Sequence, residues 1–318
     1  MVILHDFNLD LDHFSLPDNL IKKIELLGFK IIDINKSSLD EREKCTIFFG
    51  NRIKSEDLIF LPNLKYIHLG CVGYNNLDVE KLKDRKIILS NSSNIVEDAM
   101  AEMVLTAIMW FNKRIYEIDE NHKISRTFYN KFYKNLRLLS NTKLLVYGYG
   151  LVGKKTVDLL KKFTSHITIV KRDVKNSNYD FVINPTNALK VVDKYDYIVN
   201  CLPLNESSIK YFNKDYFKLM NPQSVYINIG RSGTTEINDL INEINQKKIR
   251  GTYLDVYDEA DLKKLNPLKN NRILVTPHIS GWHNEYWLNQ SKLCLNNFIK
   301  YKEGYYKQLE NVITLSNK

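Results

Sequence analysis

Long apolar runs are missing from this sequence. The longest nearly unbroken one covers residues 103–111, far short of the roughly 20 residues that a membrane span needs. The chain does not open with a basic segment followed by a signal-like apolar core and a cleavage site, so it reads as a cytoplasmic protein with no membrane partner. Cysteine is scarce, and Cys45, Cys71, Cys201 and Cys294 are widely spaced with no C-x-x-C pair. That spacing supports neither a metal site nor a disulfide framework, and free thiols in a reducing compartment are expected. Basic blocks are lacking too. The net charge is +9, yet the lysines are interleaved with Asp, Glu or Asn, and no stretch reads as a nucleic-acid arm or module. The excess charge reads as a solvated surface with a modest attraction for small anions, not as a nucleic-acid interface.

The 318 residues suffice for two domains with a large core. The stretch that organises them runs from Lys143 to Lys171. An apolar run of strand length, residues 144–147, ends in Gly148-Tyr149-Gly150-Leu151-Val152-Gly153. Apolar residues then recur at helical spacing, and residues 167–170 return to a β-branched run. In this strand–turn–helix–strand context G-x-G-x-x-G predicts dinucleotide binding. Gly148 permits the turn, Gly150 lets the backbone approach a pyrophosphate, and Gly153 lets the helix sit close on the strand. The helix start at Leu151 and Val152 supplies N–H groups and partial positive charge to the phosphates.

Upstream, strand-like runs at residues 2–4, 29–34, 46–49, 66–69 and 87–89 alternate with polar or helical segments, including a helix over 18–27. This alternation predicts a parallel sheet with helices on both faces. The loop after residue 69, Gly70-Cys71-Val72-Gly73-Tyr74-Asn75-Asn76-Leu77, could present consecutive N–H groups to an anion. The longest helical pattern, over residues 95–123, is expected to cross between domains, and a helix from Tyr286 to Tyr301 is expected to return to the first. The expected division is 1–96 with 286–318 as a discontinuous substrate-binding domain, and 97–285 as the dinucleotide-binding domain.

Three later segments share one design. Residues 225–229 form a strand ending at Gly230-Arg231-Ser232-Gly233, residues 252–256 run into Tyr257-Asp258-Glu259-Ala260-Asp261, and residues 273–275 end at Thr276-Pro277-His278-Ile279-Ser280-Gly281. Ligands of open parallel sheets bind beyond the carboxyl ends of the strands, so a cation, an acidic group and an imidazole are delivered to one edge. Such an edge suits hydride transfer to the carbonyl of a 2-oxo acid, with a dinucleotide supplying the hydride. Arg231 can hold the carboxylate and polarise the carbonyl. His278 can donate the proton, and a neighbouring acid would keep it charged.

These motifs carry a family resemblance over nearly the whole chain. The sequence resembles the D-isomer-specific 2-hydroxyacid dehydrogenases, the group of the glyoxylate/hydroxypyruvate reductases, through C-V-G-Y-N-N-L-D at 71–78, A-E at 101–102 and G-Y-G-L-V-G at 148–153. It continues through C-L-P-L at 201–204, I-N-I-G-R-S-G at 227–233, L-D-V-Y at 254–257 and T-P-H-I-S-G at 276–281. The resemblance implies an α/β protein of two doubly wound parallel-sheet domains, with a Rossmann dinucleotide-binding domain inserted into a flavodoxin-like substrate domain. It implies that Arg231 binds and polarises a small 2-oxo acid and that His278 is the acid/base. It further implies that Val72 and Gly73 offer N–H groups to the substrate carboxylate and that Asp255 faces the nicotinamide amide. Leu202, Pro203, Ile229 and Gly281 would line the cofactor site, and the protein would be a homodimer.

Two departures matter. The family places a catalytic glutamate five residues after the position of Asp255, which here is Ala260, and the spacing on to Asn266-Pro267-Leu268 fits without a gap. Either Glu259 or Asp261 reaches in from a rearranged loop, or catalysis is weak, or the substrate supplies what is missing; a slow reductase with an acid-shifted pH optimum is expected. A dinucleotide-sensing binding protein with weak or no turnover is the alternative. The second departure is at the end of residues 167–170, where NAD enzymes usually place an acid on the ribose hydroxyls. Lys171 and Arg172 stand there instead, which favours NADP, with NAD possible.

Overall fold

Short β-branched and aromatic runs separated by amphipathic helices give two all-parallel sheets in this computed structural model, which describes residues 1–7, 15–51, 53–74, 77–117, 133–174, 179, 181–265 and 271–315. The chain divides into two units, Met1–Val96 with His283–Lys318, and Glu97–Trp282. The sequence expectation set the second crossing at 285/286, and the first at 96/97.

The first unit holds β1 (Val2–His5), β2 (Lys30–Asp33), β3 (Cys45–Gly50), β4 (Tyr66–Leu69) and β5 (Ile88–Ser90) in the order β2-β1-β3-β4-β5. That order is flavodoxin-like. The helix Asp18–Leu26 begins after Pro17, buries Leu20 and Ile24, and is followed by Gly28 at φ 81°, a left-handed residue of the kind that closes helices. The helix Tyr286–Lys302 adds Cys294, Phe298 and Tyr301 to the same core as Ile3, Ile47 and Phe49.

The second unit holds β6 (Leu144–Tyr147), β7 (Ile167–Val170), β8 (Val182–Ile183), β9 (Tyr197–Asn200), β10 (Val225–Asn228), β11 (Gly251–Leu254) and β12 (Ile273–Val275). Their order is β12-β11-β10-β9-β6-β7-β8. The central strands are buried at every position, as strands covered by helices on both faces must be. The winding direction reverses between β6 and β9, which is where a doubly wound sheet opens a crevice beyond its carboxyl edge.

The helix expected to cross between domains is shorter than its apolar pattern and lies within the second unit. It covers Glu97–Asn112, not 95–123, and residues 118–123 lie outside the described residues. Side-chain and backbone bonds meet at its end, where the Asn112 oxygen accepts from the Arg137 N–H at 3.0 Å. Asn112 donates to Thr142 Oγ1 at 3.0 Å and accepts from the Tyr197 hydroxyl at 2.8 Å, and Arg114 then takes a left-handed φ of 51°. The expectations for Asn75, Asn76 and residues 266–268 also fall outside the described residues. Among the described residues no helix is long and apolar enough to cross a membrane, and the four cysteines are free.

Beneath the first sheet lies a buried polar chain that titration can report. Gln290 Nε2 lies 3.1 Å from His68 Nε2, and His68 Nδ1 lies 2.7 Å from Ser90 Oγ, so the amide donates to one ring nitrogen and the other donates to the hydroxyl. Full burial holds the His68 imidazole down at about 3 against an ordinary value of 6.5. Between those two values the unfolded chain binds a proton that the folded one does not, so stability falls as pH drops through the window. The acid limb of the denaturation midpoint should therefore be shallower in His68→Asn than in the parent between pH 6.5 and 3. Parallel limbs would show that the buried ring does not couple to folding.

Candidate active site

The dinucleotide turn is built where the sheet reverses. Gly148 leaves β6 at φ 87°, a left-handed conformation costly for any residue with a side chain. A Cβ there would stand 3.0 Å from the Cys201 carbonyl oxygen, at the exit of β9. Gly150 precedes the helix Leu151–Leu160, whose first bond runs from the Lys154 N–H to the Gly150 oxygen at 2.8 Å. The N–H groups of Leu151, Val152 and Gly153 are therefore without intrahelical acceptors, at the positive end of the helix dipole. A Cβ on Gly150 would meet no atom within 4 Å, whereas one on Gly153 would lie 1.9 Å from the Gly148 oxygen. Open space at the second glycine and none at the third is what a pyrophosphate seat needs, so these residues fit a dinucleotide.

Around this turn the other expected cofactor residues take distinct positions. Lys171 and Arg172 follow β7, with the Lys171 N–H bonded to the Ile183 oxygen at 3.1 Å and Arg172 exposed. Leu202 and Pro203 follow β9, and the Leu202 N–H is held by Asn200 Oδ1 at 3.0 Å. Ile229 is 1 % exposed in the core, so it can offer only backbone to a ligand. Gly281 lies within a turn closed by the Trp282 N–H to the Ile279 oxygen. Burial pushes the Cys201 thiol up to about 12, which removes it as a nucleophile.

The catalytic candidates stand beyond three adjacent strands in matched register. Asn228 pairs with Leu254, and Leu254 with Val275. Arg231 comes three residues after Asn228, Asp255 directly after Leu254, and His278 three residues after Val275. Neighbouring strands lie about 4.8 Å apart, so the strand ends that carry Arg231 and His278 are roughly 10 Å apart, within the joint reach of the two side chains.

Each tip is tied down by polar side chains. Below Arg231, Asn200 and Asn228 bond to one another and to Tyr226, Thr234 and Thr235. The Arg231 carbonyl accepts from Thr234 Oγ1 at 2.6 Å and Asn228 Nδ2 at 3.3 Å. Asp255 is fully buried and holds the histidine loop. Its Oδ1 accepts from Thr276 Oγ1 at 2.6 Å and the Ile279 N–H at 2.9 Å, and its Oδ2 from the Ser280 N–H at 3.0 Å. Within that loop the His278 N–H closes a tight turn on the Thr276 oxygen at 2.9 Å, and His278 adopts φ 56°. A left-handed residue with a side chain stores strain, and here a buried carboxylate is spent on keeping it in place.

The acids after β11 divide by role. Glu259 opens the helix Glu259–Leu265, is exposed, and makes no hydrogen bond or ion pair among the described residues. Asp261 pairs with Lys264 at 2.9 Å. Asp258, which sequence reasoning passed over, accepts from Ser232 Oγ at 2.7 Å.

In the first unit, the loop after β4 has its carbonyls turned inward. The Leu69 oxygen accepts from Ser92 Oγ at 2.7 Å, the Gly70 oxygen from the Tyr286 hydroxyl, and the Cys71 oxygen from the Ser92 N–H at 3.2 Å. The Val72 oxygen accepts from Asn91 Nδ2 at 2.8 Å and the Gly73 oxygen from Cys71 Sγ at 3.2 Å. The N–H groups of Val72 and Gly73 make no hydrogen bond among the described residues. Such a loop presents donors to an anion. Asn91 and Tyr286, which shape it, were not anticipated; the polar run Ser90-Asn91-Ser92-Ser93 after an apolar strand was the available signal.

A family model for the NAD binding domain of the D-isomer specific 2-hydroxyacid dehydrogenases matches residues 105–280. The chain belongs to this family. It is accordingly an NAD(P)-dependent oxidoreductase that exchanges a hydride between a dinucleotide and a 2-hydroxy/2-oxo acid pair. A glyoxylate reductase of Thermococcus litoralis is 24% identical over 308 residues, covering 91% of this chain and 92% of that protein. A glyoxylate/hydroxypyruvate reductase B of Shigella boydii is 23% identical over 310 residues, covering 91% and 93%. Among solved structures, an NADPH-dependent glyoxylate/hydroxypyruvate reductase of Sinorhizobium meliloti in complex with NADP and malonate shares the fold. Its TM-score is 0.81 at 16% identity, over 99% of this chain and 97% of that one. The D-lactate dehydrogenase of Aquifex aeolicus with NAD and lactic acid gives 0.81 at 17% identity, over all of both chains. These likenesses agree with the two-sheet architecture expected from the sequence.

Proposed function

We propose that the protein is an NADPH-dependent reductase of a small 2-oxo acid of the glyoxylate or hydroxypyruvate kind. The observation that carries the reading is the placement of Arg231 and His278 beyond registered parallel strands, with Asp255 between them. When bound, the reduced nicotinamide supplies the hydride. Arg231 binds the acid through its guanidinium fork and polarises the carbonyl that becomes the alcohol. His278 gives that oxygen a proton from its imidazolium and takes it back in the reverse direction. Asp255 keeps the His278 turn in its strained shape.

The names of the relatives support a short acid, and the pair Lys171-Arg172 after β7 supports NADP over NAD. The free thiols support a reducing, cytoplasmic setting, and the family resemblance supports a homodimer, which sedimentation at several concentrations would test.

The deciding experiment is NADPH and NADH oxidation against glyoxylate, hydroxypyruvate, pyruvate and 2-ketogluconate. Turnover with NADPH favoured supports the reading. Tight dinucleotide binding with no turnover of any acid would support the sensing alternative that Ala260 suggests. Replacing Lys171 by Asp should lower kcat/KM for NADPH by about tenfold to a hundredfold, the worth of a charged hydrogen bond to phosphate, while NADH is used as well or better. An equal loss with both cofactors would refute a phosphate contact at Lys171.

A further inference from the structure

Arg231 lies between two restraints that pull on its chain from opposite sides. On the strand side, Thr234 and Asn228 hold its carbonyl. On the other side, the next residue, Ser232, gives its hydroxyl to Asp258 Oδ1 at 2.7 Å. Asp258 sits three residues beyond Asp255, on the exit of β11, the strand between those that carry Arg231 and His278. The exit of the middle strand thus carries two carboxylates with opposite assignments. Asp255 accepts from the loop after β12, and Asp258 accepts from the loop after β10.

We propose that Ser232 and Asp258 form a positioning latch that fixes the loop bearing Arg231 against the exit of β11 and so sets the direction of the guanidinium toward the acid substrate. A hydroxyl bonded to a carboxylate makes a charge-assisted contact, stronger and more directional than a neutral one. Arg231 Nη1 donates to the Gly230 oxygen at 2.7 Å, so the fork is carried by its own loop, and a shift of that loop moves the guanidinium with it. Small misplacements of a substrate clamp reduce turnover far more than they reduce stability. Asp258 is exposed, so the bond adds little to the fold and its effect is read in the site. Neither residue touches the substrate in this account. Both act through Arg231.

The inference rests on the reductase reading above, and the experiment separates the two. Glyoxylate reduction by NADPH is measured for the parent, Ser232→Ala, Asp258→Ala, Asp258→Asn and the Ser232→Ala/Asp258→Ala double variant, with thermal midpoint and NADPH affinity alongside. Each alanine variant is expected to lose about fivefold to thirtyfold in kcat/KM for glyoxylate, and the double variant no more than the worse single one, because they break one bond. Asp258→Asn retains an acceptor oxygen for the Ser232 hydroxyl and should recover most of the loss. Midpoint and NADPH affinity should stay at the parent values. Additive losses, an unaffected Ser232→Ala, or losses that track the midpoint would overturn the latch while leaving the reductase reading standing. A parent protein that turns over no acid would overturn the reading, and with it the latch that rests on it.

Discussion

His278→Gln is expected to lower kcat/KM for glyoxylate by about 10² to 10⁴, the range that a positioned proton donor contributes. Glutamine keeps polarity and approximate size but cannot supply a proton to the forming alkoxide. Because the imidazole makes no hydrogen bond among the described residues, its removal breaks no network, and the thermal midpoint should not move. Arg231→Lys should lose about 10² or more, since a point charge replaces a planar fork. The two changes together should cost far less than their product, as groups that act in one transition state do. NADPH affinity, read by calorimetry, should be unaltered in all three proteins. If His278→Gln kept more than a tenth of the parent kcat/KM, the proton would have to come from elsewhere on the carboxyl edge. Glu259 and Asp258 would then be the next groups to replace.

Much of the carboxyl edge was legible in the sequence because strand, turn and chemistry coincide there. Gly148, Gly150 and Gly153 were marked out by spacing, and the structure shows a separate local geometry at each: a left-handed φ, an open approach and a backbone contact. Arg231 and His278 stand where the sequence expected them, each after a short apolar run that forms a strand. The hydrogen bonds that hold them were not found. Asp258 looks like any acid before a helix, and its bond to Ser232 joins residues 26 positions apart. Asp255 was given a cofactor-facing role by resemblance, yet the geometry commits both its oxygens to the loop of His278. The crossing helix was overextended for a similar reason. The apolar pattern continues past Asn112, where the helix ends at side-chain bonds to Thr142 and Tyr197 and a backbone bond from the Arg137 N–H. Local patterns specify elements, whereas long-range side-chain bonds decide where they end and how they aim.

The glycine turn allows the second large effect, and a matched pair of alanine variants separates folding from cofactor binding. At Gly153 a new methyl would sit 1.9 Å from the Gly148 oxygen, so either the helix Leu151–Leu160 or the turn after β6 must shift. Overpacking against backbone costs about 1–3 kcal/mol, which lowers the melting temperature of a unit of this size by roughly 2–4 °C for each kcal/mol. NADPH binding should be lost as well, because the displaced N–H groups are the ones proposed to hold the phosphates. At Gly150 the backbone φ of −78° suits any residue and the methyl would meet nothing. Gly150→Ala should therefore melt with the parent while its NADPH affinity falls about fivefold to a hundredfold, the methyl occupying the approach of the pyrophosphate. Isothermal titration and differential scanning calorimetry on the same preparations give both readings. Parent-like NADPH affinity in Gly150→Ala would place the phosphates away from this turn, and the dinucleotide site would then have to be sought elsewhere along the carboxyl edge of β6 and β9.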